Sequence, residues 1–330
     1  MVAGQVANDR KAATVNDVTT MSCEERIITE VGEEVRMANP GNSDQITRDY
    51  FDSLYLEMRH IDGVKPDVKF ELFGETFDTP VMMAALSHLN NIHPEGLAEQ
   101  ARGAKLANAV NWAGMGDKAE LERITATGAR TIKIIKPYEK NEEIIDRIHH
   151  AEACGVLALG IDVDHAFSGN GEYDNVFGLK MRPKSLTEIK EFVQESKVPF
   201  VIKGVLSTAD AEKCVEAGVK AIVVSHHHGI MDYAVPPLFV LPEIVKAVDG
   251  QMDIFVDCGI VSGMDAYKAL ALGATAVCAG RVIMKPLGEK GAEGVKETIE
   301  RITAELKGAM ARTGCADLKH MDASVVRRIR

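Results

Sequence analysis

From about residue 78 onward, short apolar runs rich in Val and Ile alternate with polar turns and with amphipathic stretches of ten to fifteen residues. A strand covered by helices on its outer face reads as a continuous hydrophobic run, and an amphipathic helix as a 3.6-residue period, so each repeat predicts one βα unit. The predicted strands are 80–85, 108–112, 131–135, 156–162, 199–203, 221–225, 254–257 and 274–279. Eight such units in series point to a closed (β/α)8 TIM barrel rather than an open sheet.

Upstream the pattern changes. Residues 1–22 are polar without a sustained period and read as a tail, whereas 23–37 and 43–58 carry apolar residues at helical spacing on either side of the breaker Asn39-Pro40-Gly41. The expected organisation is therefore a tail (1–22), an N-terminal helical extension (23–78) and the barrel (79–330). The stretch after the fourth strand, 162–183, sets Gly169, Gly171 and Gly178 among Phe167, Tyr173 and Phe177. It has the length of a lid, although a solvated surface excursion fits the same composition.

Composition narrows the setting. The 330 residues are 46% hydrophobic and 26% charged, enough to bury a large core, and 38 Lys plus Arg against 49 Asp plus Glu leave a net charge of −11. That balance argues against nucleic acid or anionic lipid as a partner. No apolar run approaches the roughly 18 residues of a membrane helix, and the first twenty residues lack the apolar centre of a secretory signal. A cytoplasmic protein is expected, its six scattered cysteines free thiols.

Barrel active sites sit at the C-terminal ends of the strands. Here the fifth strand ends in Lys203-Gly204, the sixth in Ser225-His226-His227-His228-Gly229, the seventh in Asp257-Cys258-Gly259 and the eighth in Gly280-Arg281. A lysine at a dry barrel mouth stabilises negative charge on a ligand, a reduced flavin or an enolate included. Strand alternation sends Ser225 and His227 to one side and His226 and His228 to the other, so the three histidines cannot share a metal and none is expected. His227 is the best candidate base, since imidazole accepts a proton near neutral pH. Gly259, Gly280 and Arg281 follow the strands where barrels form phosphate sites, with glycine permitting close backbone approach and arginine a bidentate grip.

The segments 201–211 (VIKGVLSTADA), 222–229 (IVVSHHHG), 257–274 (DCGIVSGMDAYKALALGA), 279–281 (AGR) and 311–318 (ARTGCADL) carry a resemblance. More weakly, so do 71–86 (ELFGETFDTPVMMAAL) and 93–96 (HPEG). Together they resemble the FMN-dependent α-hydroxy-acid oxidase and dehydrogenase family, which includes glycolate and lactate oxidases. The resemblance implies FMN as cofactor. It places Lys203 beside flavin N1 and O2, Ser225 and His227 at the family's serine and base, Asp257 and Gly259 at ribityl and phosphate, and Gly280 and Arg281 at the phosphate grip. Ala84, Ala85 and Asn111, ending the first two strands, and Lys133 on the third count as cofactor contacts on the same ground, with Lys133 alternatively a partner for an acidic group of the substrate. Asp162 matches an aspartate that holds the histidine as its imidazolium forms, and His165, Tyr173, His227 and His228 are expected around the substrate.

The substrate half departs from the family. Where an arginine pairs with the substrate carboxylate the chain reads Ile230-Met231, and the lid arginine is replaced by Gly171. The expected protein is an FMN-dependent oxidoreductase, catalysed by His227, Asp162 and Lys203, working at a hydroxyl or carbonyl carbon of a small molecule other than a simple 2-hydroxy acid. Family resemblance implies a homo-oligomer, a tetramer or larger. Two rivals remain open: an isomerase, lyase or nucleotide dehydrogenase using the phosphate site without flavin redox, and a flavin binder without turnover.

Overall fold

The structure, a computed structural model, describes residues 39–328; the tail and the helix expected at 23–37 lie outside the described residues. The first element is α1 (Ser43–Asp52), which begins at Asn42 because that side chain accepts the N–H groups of Asp44 and Gln45, two of the donors a helix start leaves unpaired. The helix expected to run to residue 58 stops at Asp52, and β1 (Leu54–Leu56) follows. Its antiparallel partner is Val326–Arg328 at the other end of the described chain, with Leu56 opposite Val326. A local periodicity cannot register a partner so distant in sequence.

Next comes a hairpin, β2 (Phe70–Leu72) and β3 (Glu75–Phe77), turned through Phe73 (φ 49°) and Gly74 (φ 84°). Positive φ at both central residues gives the turn the twist that tight hairpins need. Phe70, Leu72 and Phe77 pack with Met82, Trp112, Ile132, Val201 and Phe255 of the barrel interior. The hairpin therefore plugs the barrel, and the boundary expected at residue 78 separates no independent unit.

The barrel follows in chain order: β4 (Val81–Met83), α2 (Gly96–Leu106), β5 (Asn111–Ala113), α3 (Lys118–Ala126), β6 (Thr131–Ile135), α4 (Asn141–Ala153) and β7 (Ala158–Asp162). The lid segment folds as a turn, Val163–Ala166, and a small hairpin of β8 (Asn175–Val176) and β9 (Leu179–Lys180). Then come α5 (Leu186–Glu195), β10 (Phe200–Val205), α6 (Thr208–Ala217), β11 (Ala221–Val224), α7 (Pro237–Val248), β12 (Asp253–Val256), α8 (Gly263–Ala271), β13 (Ala276–Ala279), α9 (Met284–Thr313) and β14 (Val326–Arg328).

Eight parallel strands run in the order β4-β13-β12-β11-β10-β7-β6-β5. The Met83 N–H donates to the Val110 carbonyl at 3.0 Å and joins the two ends, closing the barrel. All eight apolar runs became barrel strands. Side chains of alternate residues face inward: Met82, Trp112, Ile132, Ile134, Val201, Val223 and Phe255 fill the interior, while Val81, Ile135, Ile202, Ile222 and Val256 pack under the helices.

Candidate active site

At the C-terminal mouth a cavity of about 350 Å³ opens, a size typical of small-molecule sites. Its wall includes Ala84 and Ala85 after β4, Asp162 at the end of β7, Lys203 on β10 and His227 and His228 after β11. Asp257 and Gly259 after β12, with Gly280 and Arg281 after β13, complete it. The inward phase of β7 and β10 carries Asp162 and Lys203 into the mouth, and their parallel register sets them side by side.

Five residues expected at the site do not line this wall: Asn111, Lys133, Ser225, Tyr173 and His165. On β5, Trp112 takes the inward position, so Asn111 faces α2, where its Oδ1 accepts from Gln100 Nε2 at 2.9 Å. On β6, Ile132 and Ile134 point inward, so Lys133 points outward and donates to the Gly114 carbonyl; burial there pulls its pKa down to about 8. The same phase brings Lys136, which sequence reasoning passed over, to the cavity wall. Counting by two from Ile132 and Ile134 was the signal that finds it. Ser225 stays behind the wall, accepting the His227 N–H at 3.0 Å and so shaping the turn. Tyr173 is exposed on the outside of the lid segment, its ring against Phe167.

The histidine run breaks the alternation assumed for it. The strand ends at Val224, and His227 (φ 49°), His228 (φ 57°) and Gly229 (φ 73°) form a left-handed turn in which side chains no longer alternate. His226 is structural: its Nδ1 accepts the Gly229 N–H at 2.9 Å, so its Nε2 carries the proton toward Thr47 Oγ1, 2.8 Å away on α1. His228, expected by alternation to point away, turns into the cavity wall and pairs with Asp44 at 2.5 Å.

Around His227 the charges are dense. Its Nδ1 lies 2.9 Å from Asp164 Oδ1, 3.2 Å from Asp162 Oδ1 and 3.0 Å from Lys203 Nζ. Lys203 is 3.5 Å from Asp162 and 3.8 Å from Asp257, and Lys136 is 3.0 Å from Asp162 Oδ2. Burial disfavours the charge on His227, but Asp162 and Asp164 outweigh it and raise its pKa. Burial likewise opposes charge on Lys203, and Asp162, Asp164 and Asp257 more than offset it, so the ammonium persists. Asp162 would be pushed up by burial; His227, Lys136 and Lys203 instead hold it well below the carboxylate range. Asp164 lies over Gly204 and is the carboxylate closest to His227.

His165 is wholly buried behind His227. Asp162, His165 and His227 bring ligand atoms within 4.8 Å of one another, as a metal site would require. The Lys136 and Lys203 ammoniums already sit against Asp162 and His227, so a metal ion would have to displace two cations.

The far end of the cavity joins two glycines to an arginine. Gly280 leaves open the space beside Ala84 and Leu86 of the wall, whereas a Cβ on Gly259 (φ 98°) would meet Thr47 and Phe51 of α1, and Arg281 stands at the rim, 3.2 Å from Asp44. Burial of Asp44 is outweighed by His228 and Arg281, which keep it ionised far below the usual range. Ala84, Ala85, Leu86, Val282 and Met284 supply apolar wall between Arg281 and Lys203. One cation for a phosphate, an apolar middle and a second, buried cation match the polarity of FMN along its length.

The family model described as FMN-dependent dehydrogenase matches residues 36–188 and 181–328. The chain belongs to the FMN-dependent dehydrogenase family. A peroxisomal (S)-2-hydroxy-acid oxidase of Oryza sativa subsp. japonica is 31% identical over 301 residues, spanning 81% of this chain and 82% of that protein. The 4-hydroxymandelate oxidase of Amycolatopsis orientalis is 31% identical over 281 residues, 75% of this chain and 79% of its own. A solved mandelate oxidase variant carrying a monooxide FMN adduct superposes with a TM-score of 0.79 at 30% identity, covering 88% of this chain and 92% of that one. This member of the FMN-dependent dehydrogenase family is thus an oxidoreductase of the hydroxy-acid oxidase type with FMN as cofactor, and both rival readings are set aside. Among the described residues no helix is long and apolar enough to cross a membrane. Several relatives are named as peroxisomal, so they lend no support to a cytoplasmic location.

Proposed function

We propose that the protein oxidises a 2-hydroxy acid, with His227 as the base, Lys203 at the flavin, Arg281 at the FMN phosphate and Lys136 as the cation that meets the substrate carboxylate. The observation that carries this reading is the convergence of Lys136, Lys203 and His227 on one cavity wall. Small hydroxy acids looked excluded because two arginine positions read Gly171 and Ile230-Met231. Lys136, its side chain 4% exposed and its Nζ 3.0 Å from Asp162 Oδ2, is a cation that expectation did not count. A carboxylate entering beside it replaces part of the Asp162 interaction and need not be buried unpaired.

Bound FMN supplies a two-electron acceptor. His227 takes the hydroxyl proton, and Asp162 and Asp164 hold the resulting imidazolium. Lys203, kept charged by three carboxylates, offers a fixed positive charge in a dry setting where it costs no reorganisation. The apolar wall from Ala84 to Leu86 and Met284 excludes water from the same space. We include a homo-oligomer in this reading, supported by the exposed Met231, Tyr233 and Phe239 near α1; sedimentation of the purified protein as a monomer would remove it.

The test is anaerobic bleaching of the flavin absorbance by (S)-lactate and (S)-mandelate. Bleaching by either, with a rate that saturates, supports the substrate class. A protein that holds FMN yet is bleached by neither, while neutral alcohols or aldehydes do act, overturns it.

A further inference from the structure

Behind His227 stands a second imidazole that the proposed mechanism does not use. His165 Nε2 is 3.0 Å from His227 Nε2, with the two rings 4.1 Å apart and edge to face at 78°. The other nitrogen of His165, Nδ1, faces Asp174 Oδ2 at 3.4 Å. Asp174 belongs to the lid segment, lies just before β8 and is itself 4% exposed. His165 sits in the turn after β7 and has no exposed surface.

Two nitrogens at 3.0 Å require one donor and one acceptor. A carboxylate can only accept, so Asp174 fixes the His165 proton on Nδ1 and leaves its Nε2 as a lone pair. His227 must then carry N–H on the nitrogen that meets it. On its opposite side Nδ1 faces Asp164 and Asp162, which also only accept. Nδ1 also has the Lys203 ammonium, a donor, at 3.0 Å, so it can keep a lone pair toward Lys203 or carry a proton toward the two carboxylates, and it is the nitrogen at which His227 gains or loses its second proton. Other charged groups bear on the pair. Lys203 from β10 faces His227 Nδ1, with Asp257 from β12 on its far side, and Lys136 beyond β6 faces Asp162. Burial together with Lys136 and His227 pulls the His165 pKa down to about 4, so it stays neutral where His227 titrates.

We propose that His165 is a positioning residue that, held in one tautomer by Asp174 of the lid segment, orients His227 and stabilises its protonated form. The proposal rests on the reading of His227 as the base, to which it adds a link: the lid segment acts on the base through a neutral imidazole. A hydrogen bond to the charged form raises a pKa, so losing this acceptor lowers that of His227 and moves its working range toward acid.

The experiment is nitrogen-15 NMR of the FMN-loaded, 15N-histidine-labelled protein between about pH 5 and 9, where imidazoles titrate. In the unaltered protein His165 is expected to show a single proton on Nδ1 throughout, and His227 to keep a proton on the nitrogen facing His165 on both sides of its own titration midpoint. In His165→Phe, which keeps an aromatic ring there, the His227 midpoint should fall by about one pH unit, the scale of a charge-assisted hydrogen bond. His165→Gln, whose amide oxygen still accepts, should restore part of the shift. A His165 proton on Nε2 in the unaltered protein, or an unmoved His227 midpoint in His165→Phe, overturns the proposal. If His165→Phe does not fold, the tautomer of the unaltered protein decides. The base reading fails separately, through undiminished flavin bleaching in His227→Asn.

Discussion

A Cβ on Gly204 would lie 2.4 Å from Asp164 Cγ, so the carboxylate that meets His227 rests directly on the backbone of β10. Gly204 also adopts φ 92°, at the register shift between Lys203 and Val205. Both features demand glycine. Gly204→Ala should destabilise the protein by about 1–3 kcal/mol, the cost of a forced positive φ, and should also push Asp164 off His227. Thermal melting measures the first effect and flavin bleaching the second; an unchanged melting temperature would contradict the close packing.

Loss of the rim cation should cost cofactor affinity. Arg281→Ala removes a charge-assisted contact to the phosphate, about 1.5–3 kcal/mol, or roughly a 10- to 100-fold weaker FMN complex. Flavin fluorescence titration of the apoprotein reads this directly. Equal affinity in the variant would put the phosphate elsewhere in the cavity.

His227→Asn should leave FMN bound and slow substrate-driven flavin reduction by roughly 10²–10⁴, the usual contribution of a positioned base. The pH dependence has a definite sign. Burial lowers the His227 pKa but Asp162 and Asp164 raise it further, so the net value lies above the ordinary ~6.5. Only the neutral ring accepts a proton, so reduction should speed up as pH rises through that elevated value. For stability the sign reverses: the contribution is full below about pH 6.5 and disappears as pH climbs through the folded-state value. A rate that falls with pH across this window would remove His227 as the base.

Lys136→Met is predicted to raise KM for a 2-hydroxy acid well beyond its effect on kcat, because it removes a ground-state carboxylate contact and retains apolar bulk. Lys136→Arg should recover much of the binding. Steady-state kinetics with (S)-mandelate separate the two parameters, and an unaltered KM in Lys136→Met would assign the carboxylate to another group.

His226 and His228, once grouped by alternation, should now differ. His226→Ala breaks the buried link to Thr47 on α1 and removes the side-chain acceptor of the Gly229 N–H, costing about 1–3 kcal/mol of stability with FMN retained. His228→Ala acts at the cavity wall by releasing Asp44 beside Arg281. Melting curves and FMN titrations of the two variants should therefore diverge, stability falling more in the first and FMN binding altering more in the second.

Much of the site was legible because barrel strands impose a simple rule. The ends of β10, β12 and β13 carry Lys203, Asp257, Gly259, Gly280 and Arg281 to one cavity as their placement after apolar runs required. Misplacements arose where the rule was miscounted or had ended. Lys133 is expected at the site although Ile132 and Ile134 set the inward phase that points it outward, and strand alternation does not extend past Val224 into the left-handed turn.

The sequence by itself determined the eight-strand barrel, the family and the place of Gly259, Gly280 and Arg281 at one end of the cavity, because each depends on a local signal: apolar period, short motif, glycine after a strand. Tertiary structure alone decided that β1 pairs with β14, that Phe70, Leu72 and Phe77 plug the barrel, and that Asp164 and His165 close on His227. These contacts join residues far apart in the chain. Their partners are chosen by which surfaces meet after the barrel closes, and no local pattern of hydrophobic and polar positions records that choice.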